Sequence, residues 1–177
     1  NEMERTTDLA WADIDLDGDL ELATAADGAP VRLYQRVVST SVFFFSAWES
    51  PNSPSAEAIA WGDMNADGYP DLAVGGTEAA SGGDFAVCVY LNIADVAGGR
   101  TLDAACAWQA SGESSDQTYD LDWGDWDADG YIDLFVGNNG GPTRVYAGDG
   151  VTLGSSPAWS SAAANPTRTI DLEDWNG

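Results

Sequence analysis

Short apolar runs, broken by glycines and acidic turns, alternate along the chain. Leu9-Ala10-Trp11-Ala12, Ile59-Ala60-Trp61-Gly62 and Leu121-Asp122-Trp123-Gly124 each lead into an acidic stretch. Leu22-Ala23-Thr24, Leu72-Ala73-Val74-Gly75 and Leu134-Phe135-Val136-Gly137 each leave one. Runs of this length, bounded by turn residues, predict strands. A glycine-containing turn follows each time: Asp27-Gly28-Ala29-Pro30, Gly82-Gly83-Asp84 and Gly140-Gly141-Pro142. A third strand then ends in Tyr34, Tyr90 or Tyr146, and a fourth carries Ala47-Trp48, Ala107-Trp108 or Ala158-Trp159.

The pattern is a repeat. The acidic stretches begin at Asp13, Asp63 and Asp125, with a fourth start at Asp174, giving spacings of 50, 62 and 49 residues. A period near 50 residues with four short strands per unit predicts an all-β fold of β-propeller blades, each blade four antiparallel strands. The blades are expected at about 8–56, 57–115 and 116–166, with the first strand of another over 167–177. The second unit is longer mainly between Gly75 and Ala107, so its extra residues are expected to extend connections there. The chain starts at Asn1 and stops at Gly177 inside the fourth acidic motif, so it reads as a piece of something longer. Three blades cannot close a ring, which predicts either further blades elsewhere in a longer chain or self-association.

The acidic stretches carry the candidate chemistry. Each has Asp, Asn or Glu at positions 1, 3, 5 and 9 and Gly at position 6. Alternate residues of an extended loop point the same way, so the first three converge. Glycine supplies the sharp turn, and the chain doubles back so that a carbonyl at 7 and a carboxylate at 9 close the shell. Hard, anionic oxygens in this number suit calcium. Without a cation they repel: two charges 4 Å apart cost about 1 kcal/mol even in water. A solvated acidic turn would explain one copy, but not three in register. An EF-hand loop would end in a bidentate Glu at position 12, whereas Thr24, Val74 and Val136 stand there.

Composition narrows the rest. The formal charge is −24, from 30 acidic and 6 basic residues. Such a surface repels nucleic acid and anionic membrane. With 44% hydrophobic residues and eight tryptophans, the chain has the means to build a core. It has no histidine, which removes Ser-His-Asp and Cys-His catalysis and the usual zinc sites. No run is long and apolar enough to span a membrane. Trp11, Trp61 and Trp123 sit beside small residues such as Ala10, Ala12, Gly62 and Gly124, which favours packing between blades over ligand contact. Trp48, Trp108 and Trp159 fit core or rim packing, with sugar stacking the rival. Cys88 and Cys106 fall on neighbouring strands of one unit, which predicts a disulfide suited to an oxidising compartment, with a pair of buried free thiols the alternative.

The WGDxDADGYxDLxVG run at 61–75 and 123–137, its weaker form WADIDLDGDLELAT at 11–24 and GGPTRVY at 140–146 resemble the FG-GAP/VCBS family. That family occurs in integrin alpha-subunit propellers and in many large secreted bacterial proteins. The resemblance implies one calcium ion in each loop between the first and second strands of a blade, about three in all. Matching by motif, the ligands would be Asp13, Asp15, Asp17 and Glu21; Asp63, Asn65, Asp67 and Asp71; Asp125, Asp127, Asp129 and Asp133. Backbone carbonyls of Asp19, Tyr69 and Tyr131 would complete the shells. Glu21 departs from the family's Asp, the Phe-Gly pair is missing, and the fourth copy lacks its second half. The implied role is a non-enzymatic, calcium-stabilised extracellular adhesion, binding or scaffold module with a protein or carbohydrate ligand. A lectin and the propeller portion of a secreted polysaccharide-degrading enzyme are the alternatives.

Overall fold

The computed structural model describes residues 4–38, 42–51, 55–77, 87–110, 117–163 and 165–172. The Gly82-Gly83-Asp84 turn and the acidic start at Asp174 lie outside them. The described residues contain strands and no helix. Three four-stranded antiparallel sheets hold twelve of the fourteen described strands.

The first sheet is β1 (Arg5–Ala12), β2 (Glu21–Asp27), β3 (Arg32–Val38) and β4 (Val42–Glu49), paired in that order. The second begins in the same way with β5 (Ser55–Gly62), β6 (Asp71–Thr77) and β7 (Val87–Tyr90). A separate hairpin of β8 (Asn92–Ala94) and β9 (Arg100–Leu102) then intervenes before β10 (Trp108–Gln109) pairs with β7. The extra length expected between Gly75 and Ala107 thus includes a hairpin. The third sheet is β11 (Gln117–Gly124), β12 (Asp133–Asn139), β13 (Arg144–Tyr146) and β14 (Trp159–Ser160).

The repeat extends to irregularities. The register between first and second strands slips at Thr6/Asp8, Ala56/Ala58 and Thr118/Asp120, the same place in every unit. An acid after the first and third of these slips reaches the next segment of chain. Asp8 accepts the Ile59 N–H at 2.9 Å, and Asp120 accepts that of Ile170.

The sheets stack through two apolar layers, one between the first and second sheets and one between the second and third. The first layer includes Ile14, Leu33, Ile59, Leu72 and Tyr90; the second includes Val87, Trp108, Leu121, Leu134 and Tyr146. Large residues of one sheet meet small ones of the sheet before it. A Cβ on Gly62 would lie 2.5 Å from the Trp123 ring, and one on Gly75 would lie 2.5 Å from Thr118. Trp61 and Trp123 each donate an indole N–H to the preceding unit's first strand, at Ala10 and Ala60, both at 3.3 Å. The fourth-strand tryptophans bind forward: Trp48 meets Tyr90 edge-on at 5.1 Å, and Trp108 meets Tyr146 at 4.9 Å. Trp61 and Trp123 from one set, and Trp48 and Trp108 from the other, therefore serve packing between units.

Two expectations need correction. Trp11 is 49% exposed, because its equivalents Trp61 and Trp123 are covered by a preceding sheet and the described residues place none before β1. Trp159, at the other side of the stack, is 44% exposed for the matching reason. Residues 165–172 form no strand, although 167–172 do lie on the third sheet. There Leu172 takes the place over Gly124 that Trp123 takes over Gly62, and Ile170 lies over Gly137. The remainder of the expected fourth-unit strand lies outside the described residues. Those residues close no ring, so the number of blades is not a property of this fold as described.

Cys88 on β7 and Cys106, just before β10, form a disulfide with their Cα atoms 5.8 Å apart. Among the described residues no helix is long and apolar enough to cross a membrane.

Candidate metal centre

Each acidic loop joins the first strand of a sheet to its second, so the strand pair fixes where the loop starts and ends. Within the loop the side chains are organised by backbone N–H donors. The position-1 carboxylate accepts from positions 5 and 6: Asp13 from Asp17 and Gly18 at 3.0 and 2.9 Å, Asp63 from Asp67 and Gly68 at 3.0 and 2.8 Å. Asp125 does the same from Asp129 and Gly130 at 3.1 and 3.0 Å. Asp15, Asn65 and Asp127, at position 3, also accept the position-5 N–H. Asp17, Asp67 and Asp129 accept from position 7 at 2.8, 3.0 and 2.8 Å.

Two left-handed residues per loop make this possible. The glycines Gly18, Gly68 and Gly130 have φ of 92°, 90° and 93°. The residues at position 4, Leu16, Ala66 and Ala128, have φ of 61°, 55° and 62°. Left-handed backbone is costly for a residue with a Cβ, so the loop holds this strain three times over in return for its converging oxygens.

Position 9 is the buried floor. Glu21 is 4% exposed, and Asp71 and Asp133 are fully buried. Each accepts the N–H of position 2, from Ile14 at 3.2 Å, Met64 at 3.0 Å and Trp126 at 2.6 Å. The second oxygen of Asp71 accepts from Asn92 and that of Asp133 from Gly148, both at 2.8 Å.

Carboxylate oxygens of Asp13, Asp15 and Glu21 lie within 4.8 Å of one another, as do those of Asp125, Asp127 and Asp133. The longer side chain of Glu21 therefore reaches its cluster. The second loop puts Asn65 where the others have Asp, so Asp63 and Asp71 share it with an amide. Asp17 and Asp129 fall outside these groups, turned toward the N–H of position 7.

The electrostatics show uncompensated charge. Burial pushes Glu21 above the ordinary carboxylate range, and Asp15, Asp17 and Asp13 add to this. Burial pushes Asp71 up to about 6, with Asp67 and Asp63 contributing. Asp127 is raised as well, first by desolvation and then by Asp129, Asp133 and Asp125. A site of oxygens only, anionic and partly shut from water, fits a hard cation such as calcium.

Sequence reasoning missed three neighbours of the loops. Arg36 pairs with Asp19 at 2.6 Å. Arg100, from the extra hairpin, lies 3.8 Å from Asp67 with its guanidinium 3.2 Å from the centre of the Tyr69 ring. Asn92 is buried between the first and second loops. None shares a motif with the loops, and each arrives from a strand or hairpin more than fifteen residues away.

No curated protein matches the sequence. Residues 13–74 match the family described as the FG-GAP-like repeat, a span from the first acidic loop through the second and into β6. The chain thus carries an FG-GAP-like repeat, matched over residues 13–74.

Proposed function

We propose that this chain is a calcium-stabilised, non-enzymatic binding or scaffold module of an extracellular protein, its sheets acting as β-propeller blades. The observation that carries the reading is the threefold recurrence of one loop geometry with a buried carboxylate at position 9, below a cluster of carboxylate oxygens in the first and third loops. Asp13, Asp15 and Glu21 would hold the first ion, Asp63, Asn65 and Asp71 the second, and Asp125, Asp127 and Asp133 the third. Bound calcium would stabilise the charged forms of Glu21, Asp71 and Asp127, which burial first and neighbouring carboxylates second disfavour, and would pin the first strand of each unit to its second. The Cys88–Cys106 disulfide supports an oxidising location, and the FG-GAP-like repeat supports the binding or scaffold role.

A carbohydrate reading has one feature in its favour, a shallow cleft lined by Trp11, Gly18, Asp19, Leu20 and Arg36. Its aromatic is the counterpart of Trp61 and Trp123, which pack between sheets, so a scaffold role accounts for Trp11 more simply. A glycan array separates the two.

The test of the calcium reading is thermal unfolding in calcium and in chelator. A ligand at a hundredfold excess over its Kd adds about 2.7 kcal/mol per site to stability. Chelation should lower Tm by several degrees or more. Superimposable curves would sink the reading.

A further inference from the structure

One position in each unit, two residues after the recurring tyrosine, differs between the units in a way that bears on the loops. Tyr34, Tyr90 and Tyr146 pair with Leu22, Leu72 and Leu134 in the same register, so Arg36, Asn92 and Gly148 are equivalent. Arg36 turns to Asp19 of its own loop. Gly148 has no side chain, and a Cβ there would fall 2.2 Å from the carbonyl oxygen of Ile132. Asn92 does something neither of the others does.

Asn92 opens β8 and is 1% exposed. Its backbone N–H donates to Asp71 Oδ1 at 2.8 Å. Its side-chain nitrogen donates to the Ile14 carbonyl in the first loop at 2.8 Å and to the Pro70 carbonyl in the second at 3.1 Å. Both neighbours are acceptors, so the amide must face them with its nitrogen. The oxygen is left buried with no hydrogen-bond partner, a cost that a merely space-filling residue would avoid. Ile14 in turn donates its N–H to Glu21 Oε2 at 3.2 Å. The two buried position-9 carboxylates, Glu21 and Asp71, are thus ends of one chain that runs through the two peptide groups flanking the Ile14 Cα and through Asn92. Asp133 in the third loop takes its equivalent bond from Gly148, and the chain stops there.

We propose that Asn92 is a positioning residue that couples the first two loops, so that calcium in one raises the affinity of the other while the third loop fills independently. The proposal rests on the calcium reading above. Filling a loop draws its position-9 carboxylate toward the ion. Through Ile14 and Asn92 this sets the position of the opposite carboxylate before its own ion arrives. Sites coupled in this way commonly differ in affinity by about 5–150-fold between the empty and filled states of their neighbour.

The three loop glycines are separate reporters. Gly18, Gly68 and Gly130 each donate an amide to the position-1 carboxylate of their own loop. Calcium titration of the chelator-treated chain, followed by the amide NMR signals of these glycines, reads each loop on its own. Asp13→Ala disables the first loop, with Glu21→Gln as its replacement where the first variant does not fold. Disabling the first loop should raise the calcium concentration at which Gly68 responds by about fivefold or more and leave Gly130 unmoved. In Asn92→Gly, which copies the third unit, or in Asn92→Ala, the shift at Gly68 should disappear. A Gly68 midpoint indifferent to Asp13→Ala, or an equal shift with Asn92 replaced, would overturn the coupling and leave the calcium sites standing. No response to calcium at any of the three glycines would overturn the sites and the coupling together.

Discussion

Adding one methyl group at Gly62 tests how the sheets are held together. A Cβ there would lie 2.5 Å from Cγ of Trp123 and 2.7 Å from Cδ1 and Cδ2. These atoms are at the root of the indole, where the ring cannot swing aside as a flexible tip would. Ordinary contact begins near 3.4 Å, so the ring must retreat by about 0.9 Å, the difference between 3.4 and 2.5 Å. The Trp123 indole N–H is already 3.3 Å from the Ala60 carbonyl, and a shift of that size breaks the bond. Overpacking of this kind costs about 1–3 kcal/mol, and the lost hydrogen bond about 1 kcal/mol more. Replacing glycine within a strand returns roughly 0.5–1 kcal/mol. Gly62→Ala should therefore destabilise the chain by about 1–3 kcal/mol, or about 2–4 °C in Tm for each kcal/mol at this size. Urea unfolding followed by tryptophan fluorescence measures it. Pairing the change with Trp123→Leu should recover part of the loss, because the smaller side chain makes room. A neutral or stabilised Gly62→Ala would refute the argument that the large-on-small fit between sheets is tight.

Asp125→Ala should lower the number of bound calcium ions by about one, read by calorimetry, since it removes both an oxygen of the cluster and the acceptor for Asp129 and Gly130. Reduction of Cys88–Cys106, or its replacement by two alanines, should cost about 2–4 kcal/mol, since the bond closes a loop of 18 residues; chemical unfolding with and without reductant checks this. Asp8→Ala should cost about 1–3 kcal/mol, because it strips the acceptor from the Ile59 N–H at the join of the first two sheets. Burial raises Asp120, so its charged form is disfavoured in the fold. The favourable contribution is complete below the unfolded carboxylate value of 3.8 and is lost as pH rises through the folded one. Asp120→Asn, which keeps an acceptor for Ile170, should therefore gain on the parent between pH 3 and pH 7. A constant difference across that range would count against a buried charge.

The loops and the strands beside them were legible because their signals are local. Positions 1, 3, 5, 6 and 9 lie within nine residues, and the structure brings Asp13, Asp15 and Glu21 together as their spacing implied. Packing of Trp61 and Trp123 between units was legible too, from the small residues beside them, though the particular fit of Trp123 onto Gly62 was not. The left-handed Leu16, Ala66 and Ala128 were not, since nothing in those residue types announces positive φ. Asn92 was hidden for another reason: its partner Ile14 is 78 residues away, and only the stacking of two units brings them together. Trp11 repeats the local surroundings of Trp61 and Trp123, yet its burial depends on what precedes it, which local pattern does not encode.

The stacking of the sheets has a direction. The third unit presents bulky residues, Trp123, Thr118 and Leu121, to Gly62 and Gly75 of its predecessor, and its own Gly124 and Gly137 to the segment that follows. A duplicated unit inserted in the same orientation would bring both halves of the joint with it, so the array could lengthen or shorten by whole units with no substitutions at the seams. An inverted unit would set indole against indole and glycine against glycine, leaving one seam overfilled and the other hollow. The asymmetry thus favours head-to-tail growth of the array.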